Sequence, residues 1–156
     1  MLKIMGQAQA SIEQMRAYIK KLNPKAPESV LAMIPLYITE GALEGVRGDI
    51  AFAQSCLETG NFTFKGSAVT LTQNNFCGMG VTSTGVKGNS FKTPKEGVRA
   101  QIQHLKAYAC NDALEQRCID PQIYLRKTWL RALCRMAGNP GESFRRWMGV
   151  RKRIWK

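Results

Sequence analysis

The pattern of apolar and polar positions predicts a chain built mainly of helices. Over 12–22, apolar residues recur every three or four positions, and Ser11 followed by Gln14 fits a capping box, so we expect the first helix there. A second helix is expected over 30–43. It should be kinked or restarted at Pro35, because proline lacks the backbone donor that a helix interior needs.

A later helix is expected to begin after Thr93, where proline occupies the first helical position and glutamate the third. Its buried stripe should comprise Val98, Ile102, Leu105 and Ala109. His104 and Tyr108 lie one turn apart beside this stripe. A lone histidine on a helix flank is more often structural than catalytic, so we assign His104 no catalytic role.

Between these helices, residues 50–60 have the pattern of a short buried helix that ends in one acid. Most side chains there are apolar or small, and Gly60 stands where a helix C-cap is expected, which places Glu58 in the last turn. The negative helix end and partial burial should both raise the pKa of Glu58, and a protonated acid can donate a proton to a leaving-group oxygen. Position alone favours the plainer interpretation of a surface glutamate.

Residues 61–93 have a different character, with five glycines among Thr, Ser, Asn and Val. Short strands or extended loops are expected at 62–64 and 68–72. The prediction is therefore an α+β, mainly α fold, in which a helical domain carries a small β-rich or irregular lobe at about 61–93. Residues 59–95 contain neither Asp nor Glu, so this lobe offers Glu58 no second carboxylate.

Composition narrows the class of protein further. The 156 residues are enough for one domain with a substantial core, and no apolar run reaches the length that spans a membrane. The first residues lack the apolar segment of a signal peptide. Five cysteines without CxxC spacing and a single histidine argue against zinc, and no metal or cofactor is expected. A Cys110–Cys118 disulfide remains an option.

Positive charge is concentrated in the last part of the chain. Residues 1–125 carry 13 basic and 10 acidic side chains, whereas residues 126–156 carry 10 basic side chains and one acid, Glu142. The whole chain has a net charge of +12. The basic character therefore belongs to the segment 126–156, which we call the tail.

Several motifs in order resemble the glucosaminidase-type peptidoglycan hydrolases, family 73 of the glycoside hydrolases in the lysozyme-like superfamily. They are Glu44–Arg47, Ala51–Gln54, Leu57–Phe62, Gln73–Phe76, Gly78–Gly80 and Glu96–Tyr108. The resemblance covers roughly residues 8–125 and implies that Glu58 is the catalytic acid. It also implies a substrate-binding set formed by Gln54, Thr59, Phe62, Gln73, Asn74, Asn75, Phe76, Gly78 and Tyr108. In this interpretation the Asn amides bind sugar hydroxyls or N-acetyl groups and Phe76 offers a ring face to a pyranose.

The resemblance implies cleavage of the β-1,4 bond after N-acetylglucosamine in peptidoglycan, outside the cell or in the cell wall, by a monomer without a nucleic-acid partner. Because the lobe brings no second carboxylate, we favour a one-carboxylate mechanism, completed by the substrate acetamido group or a positioned water. Two alternatives stay open. One is a lytic transglycosylase that uses the same acid, and the other is a non-catalytic cationic binder of the cell wall.

The expected domain is 1–125, and the tail departs from the family ending. One permitted set of codons for 143–156, read one base on, encodes Ala-Ser-Gly-Gly-Gly-Trp-Ala-Ser-Gly-Lys-Glu-Tyr-Gly, which resembles that ending. A frameshifted C-terminus is therefore one interpretation of the tail. The competing interpretation is a binding arm whose basic residues and tryptophans hold an anionic cell-wall polymer, a membrane surface or nucleic acid.

Overall fold

The computed structural model describes residues 3–119, and the tail lies outside the described residues. It contains four α-helices, namely α1 (Ile12–Leu22), α2 (Glu28–Glu44), α3 (Gly48–Glu58) and α4 (Pro94–Ala109), and a short 3₁₀ turn at Leu71–Gln73. The mainly α prediction is confirmed. None of these helices is long and apolar enough to cross a membrane.

No strand forms within residues 3–119, where the single β-bridge joins Met5 to Val46. The short strands expected as one alternative at 62–64 and 68–72 do not form, and of the β-rich or irregular lobe that was predicted the irregular form is found. Backbone geometry explains the first absence, because Phe62 and Phe64 have φ angles of 61° and 55°. These values lie in the left-handed region, which is incompatible with extended backbone. Residues 71–73 instead curl into the 3₁₀ turn.

Helix α2 is continuous through Pro35, so the expected restart does not occur. Pro35 cannot donate to the carbonyl of Leu31 four residues earlier. Nε of Arg16 on α1 lies 3.4 Å from that carbonyl oxygen and donates to it instead. A side chain from a neighbouring helix thus replaces the backbone bond that proline removes.

The core lies where α2 contacts α1, α3 and α4. Glycines allow α2 and α3 to approach closely, since a Cβ added to Gly48 would lie 2.0 Å from the carbonyl oxygen of Tyr37. The largest fully buried side chains include Tyr37, Phe52, Phe76, Met15, Ile19, Ile34 and Ile102. Of the stripe predicted for α4, Val98, Ile102 and Leu105 are buried, whereas Ala109 at the last turn is exposed.

A buried carboxylate fastens the chain after α4 back onto α2. The carboxylate of Glu44 accepts hydrogen bonds from the backbone N–H groups of Glu115 and Gln116, at 3.0 and 3.1 Å, and from Nζ of Lys106 at 3.1 Å. Burial alone would raise the pKa of Glu44, but these bonds outweigh it and lower the pKa. No disulfide joins Cys110 to Cys118, so that option was wrong.

Candidate active site

Glu58 is the last residue of α3, as the sequence predicts. Thr59 caps the helix, and Gly60 follows with a φ of 58°, a left-handed conformation that glycine adopts without strain. The Glu58 side chain is exposed to solvent, yet the surrounding protein partly removes its carboxyl group from water. This desolvation raises the pKa of Glu58, in the direction that proton donation requires.

Thr59 holds the turn that follows the acid. Its Oγ1 donates to the carbonyl oxygen of Ser55 at 2.7 Å and accepts a hydrogen bond from the backbone N–H of Phe62 at 2.9 Å. The backbone N–H of Phe64 then donates to the carbonyl oxygen of Thr59 at 2.9 Å. Thr59 is buried, and its hydroxyl group both donates and accepts within the protein, so it holds the turn after Glu58.

A row of aromatic rings connects α3 to the loop that contains the Asn-Asn-Phe motif at residues 74–76. Phe52 on α3 stacks on Phe62 with ring centroids 6.0 Å apart, and Phe62 meets Phe76 edge-on at 6.1 Å. Phe76 is fully buried. Its ring therefore offers no face to a pyranose in this structure; it packs against Phe62 and lies close to Gly97 of α4.

The amide side chains of the motif fasten the loop internally. Asn75 is fully buried; its Nδ2 donates to the carbonyl oxygens of Met79 and Asn89 at 2.8 and 2.9 Å, and its Oδ1 accepts from the N–H of Met79. Nδ2 of Asn74 donates to the carbonyl oxygen of Phe91 at 2.9 Å. With its amide fully used, Asn75 shapes the loop, so the direct sugar contact expected of it is not available here.

Gln73 and Gly97 complete the attachment of this loop. Gln73 Nε2 donates to the carbonyl oxygen of Gly88 at 3.1 Å. Gly97 on α4 lies so close to the loop that an added Cβ would be 1.8 Å from the carbonyl oxygen of Asn74. The loop therefore rests directly on the backbone of α4.

A buried chain of hydrogen bonds runs from α2 through α3 to α4. Tyr37 Oη donates to Ser55 Oγ at 2.8 Å, and Ser55 Oγ donates to Gln101 Oε1 at 2.9 Å. Gln101 Nε2 then donates to the carbonyl oxygen of Ala51 and to Oε1 of Gln54, each at 2.9 Å. Because the Ala51 carbonyl can only accept, the orientation of the Gln101 amide is fixed, and this in turn fixes the amide of Gln54.

This network leaves Gln54 suited to bind a ligand. Gln54 lies one turn before Glu58 on the same face of α3, and it is partly exposed. Its Oε1 points to Gln101, and within residues 3–119 its Nε2 donates to no side chain or carbonyl. A partly exposed amide donor of fixed orientation therefore lies one helical turn from the acid.

Gly78 and Tyr108 lie at the surface of the described chain. Gly78 has a φ of 68° and open space where a Cβ would stand. Tyr108 is 50% exposed, and its ring contacts His104 edge-on with centroids 5.0 Å apart. No contact links either residue to Glu58, so the structure leaves their grouping with the acid untested.

Three helical carboxylates outside the lobe, those of Glu40, Asp49 and Glu96, are already engaged. Glu40 pairs with Nε of Arg99 at 2.8 Å, and Asp49 pairs with Arg47. Glu96 accepts from the backbone N–H of Lys92 at 3.0 Å. Within residues 3–119 no group of three or more His, Cys, Asp or Glu side chains could hold a metal ion.

Sequence reasoning gave no role to Gln101 or Ser55. The sequence does indicate that Gln101 is buried, because it lies three residues after Val98 and four before Leu105, in the apolar stripe of α4. A glutamine on a buried face needs polar partners inside the protein. Its partner Ser55 is 46 residues away in the chain, and only the fold identifies it.

An acid of raised pKa at an exposed helix end, backed by a buried polar network, is what acid-catalysed cleavage of a glycosidic bond requires. The fold and the site thus fit the class of glycoside hydrolases. The chain belongs to the glucosaminidase family, whose model, described as mannosyl-glycoprotein endo-beta-N-acetylglucosaminidase, matches residues 34–137. The resemblance drawn from the motifs is confirmed, and the match passes the domain boundary expected at 125.

A relative from Borreliella burgdorferi, described as an uncharacterized protein, is 39% identical to this chain over 125 residues. The aligned region covers 80% of this chain and 61% of the relative, so the chain spans only part of the relative's length. No solved structure matches the chain.

Proposed function

We propose that this protein hydrolyses peptidoglycan at the β-1,4 bond after N-acetylglucosamine, with Glu58 as the general acid. The observation that carries the proposal is the placement of Glu58, an acid of raised pKa at the exposed end of α3 in a glucosaminidase-family chain. Its substrate would be the glycan strands of the cell wall, outside the cell.

The chemistry assigned to Glu58 is protonation of the glycosidic oxygen. The proton moves from the carboxylic acid to that oxygen as its bond to the anomeric carbon breaks, and the leaving sugar departs as an alcohol. Either water then bonds directly to the anomeric carbon, or the substrate acetamido oxygen bonds there first and is displaced by water. In both cases water leaves its hydroxyl group on the anomeric carbon and returns a proton to the Glu58 carboxylate. In this proposal Nε2 of Gln54, whose Oε1 accepts from Gln101, would donate to an oxygen of the bound sugar.

The distribution of acids supports this one-carboxylate scheme. Residues 59–95 contain no Asp or Glu, and Glu40, Glu44 and Asp49 are buried in ion pairs with basic side chains. A buried, paired carboxylate is poorly suited to act as a nucleophile or base. Glu58 would therefore act without any of these three carboxylates as its partner.

Glu58→Gln tests the assignment, because glutamine keeps the shape of the side chain and removes the acidic proton. We expect hydrolysis of purified cell walls to fall by about 10²- to 10⁴-fold, the usual contribution of a general acid. Glu13→Gln is the matched control, since Glu13 is an exposed glutamate on α1, and it should hydrolyse normally. Wall lysis that survives Glu58→Gln would refute Glu58 as the acid.

Mass spectrometry of the released muropeptides separates hydrolysis from the transglycosylase alternative. Hydrolysis leaves reducing ends on N-acetylglucosamine, whereas transglycosylation leaves anhydro-sugar ends. Anhydro ends on the products of the wild-type protein would replace the hydrolase proposal by the transglycosylase.

A further inference from the structure

A cleft of about 540 Å³ opens beside the turn that follows Glu58. One wall comes from the connection between α1 and α2, with Asn23, Lys25 and Pro27. The opposite wall comes from 62–64 and 70–72 of the lobe. Its volume lies within the usual range for sites that bind small ligands.

The two walls are tied together and to the candidate active site. Asn23 Nδ2 donates to the carbonyl oxygen of Asn61 at 3.0 Å, which links the α1–α2 connection to the turn after α3. The N–H of Phe64 donates to the carbonyl oxygen of Thr59, the residue that follows Glu58. Glu58 does not line the cleft, which adjoins the turn that follows this acid.

The lining combines apolar surface with hydrogen-bonding groups and one positive charge. Phe64 and Leu71 are partly exposed, and the hydroxyl oxygens of Thr70 and Thr72 lie 3.0 Å apart on the rim. Lys25 is exposed and is the charged side chain of the lining within the described chain. Such a surface suits an extended molecule with amide groups, small apolar side chains and a carboxylate.

The charge in the cleft lining is positive, since Lys25 belongs to the described lining and Glu28, which follows Pro27, does not. The lobe wall lies within residues 59–95, which contain no acid. A neutral glycan gains nothing from such a field, whereas an anionic ligand is attracted to it. Charge therefore favours a carboxylate-bearing occupant over a further stretch of uncharged sugar.

We propose that this cleft binds the peptide stem of peptidoglycan, with Lys25 pairing to a stem carboxylate. The proposal rests on the proposed function, since the stem is attached to the sugar next to the bond that Glu58 would cleave. The cleft then selects glycan strands that still carry peptides over strands from which the peptides have been removed.

The first test measures binding without hydrolysis. A soluble stem tetrapeptide with free carboxylates is titrated into the full chain, and the dissociation constant is followed by NMR. We expect Lys25→Gln to weaken binding by about threefold to fivefold, as loss of an exposed ion pair does. Amidation of the peptide carboxylates should have the same effect on the wild-type protein. Lys65→Gln removes an equal charge from the lobe outside the cleft lining and should leave binding unchanged.

The second test compares intact strands with strands stripped by an amidase. We expect the wild-type protein to have a lower KM for intact strands, and Lys25→Gln to lose that difference with kcat unchanged. Equal binding of free and amidated peptide, or a Lys25→Gln effect that is the same on stripped strands, would overturn the stem site. Peptide binding that depends on Lys25 in a protein that cleaves neither substrate would retain the stem site and refute the hydrolase, so the two proposals fail separately.

Discussion

Replacing Gln101 with leucine removes the buried amide that joins α4 to the helix of Glu58. The fully buried Gln101 accepts one hydrogen bond from Ser55 and donates one each to Ala51 and Gln54. At about 1 kcal/mol net for each bond, Gln101→Leu should lower the free energy of unfolding by about 2 to 3 kcal/mol. Leucine is of similar volume, so the loss should reflect hydrogen bonds more than packing.

Gln103 provides a matched control on the same helix. It is equally buried and also makes several hydrogen bonds, including one to Glu44 at 3.2 Å and one from the N–H of Ile119 at 3.1 Å. These bonds reach α2 and the chain after α4 but not α3. Gln103→Leu should therefore lower stability by a similar amount without releasing Gln54.

The kinetic consequence separates the two variants. Without Gln101, the Gln54 amide can rotate, and we expect kcat/KM on cell-wall glycan to fall about tenfold, or about 1.4 kcal/mol of transition-state stabilisation. Urea unfolding followed by circular dichroism gives the stabilities, and initial rates below the unfolding range give kcat/KM. Equal kcat/KM for Gln101→Leu and Gln103→Leu would refute the inference that Gln101 positions the site.

Three further predictions concern the acid, a buried pair and a close contact. On the basic side of its pH profile, kcat/KM should fall with an apparent pKa above the usual glutamate value of about 4.3, because desolvation raises the pKa of Glu58. An apparent pKa below that value would contradict this. Lys106→Met should lower the free energy of unfolding by about 3 to 5 kcal/mol at neutral pH, because the buried Glu44 carboxylate loses the cation paired with it. Below the lowered pKa of Glu44 the carboxyl group is protonated, so the variant and the wild-type protein should differ less. Urea unfolding at neutral pH and at a pH below that pKa checks this. Gly97→Ala should lower the free energy of unfolding by about 1 to 3 kcal/mol, because the added methyl group clashes with the carbonyl oxygen of Asn74. An unchanged midpoint of urea unfolding would show that the loop moves away from α4 without loss of stability.

Caps and apolar spacing identified the helices because those signals are local. The capping box at Ser11 is present, and Thr93 caps α4 by accepting from the N–H of Glu96. The position of Glu58 and the upward direction of its pKa were also predicted. The cause was only partly foreseen: desolvation is what raises the pKa, and it depends on residues packed around the carboxyl group.

The irregular lobe was beyond local pattern reasoning. Alternating residues around 62–64 suggested a strand, but the ring of Phe62 is needed between Phe52 and Phe76. The backbone adopts a left-handed conformation at Phe62, and the resulting turn buries the ring. Burial of this aromatic row overrides the weak strand preference of three residues.

The sequence by itself determined where the helices lie, which acid ends α3, and that no other acid follows it through residue 95. Tertiary structure decided which of the predicted binding residues are exposed and which are buried with internal hydrogen bonds or packing partners. Asn75 and Phe76 look like binding residues in the sequence but are fully buried, whereas Gln101 holds Gln54 in place from 47 residues away. The chemistry of each side chain can be read from the sequence. Its partners depend on packing between segments that are distant in the chain, and those partners decide its role.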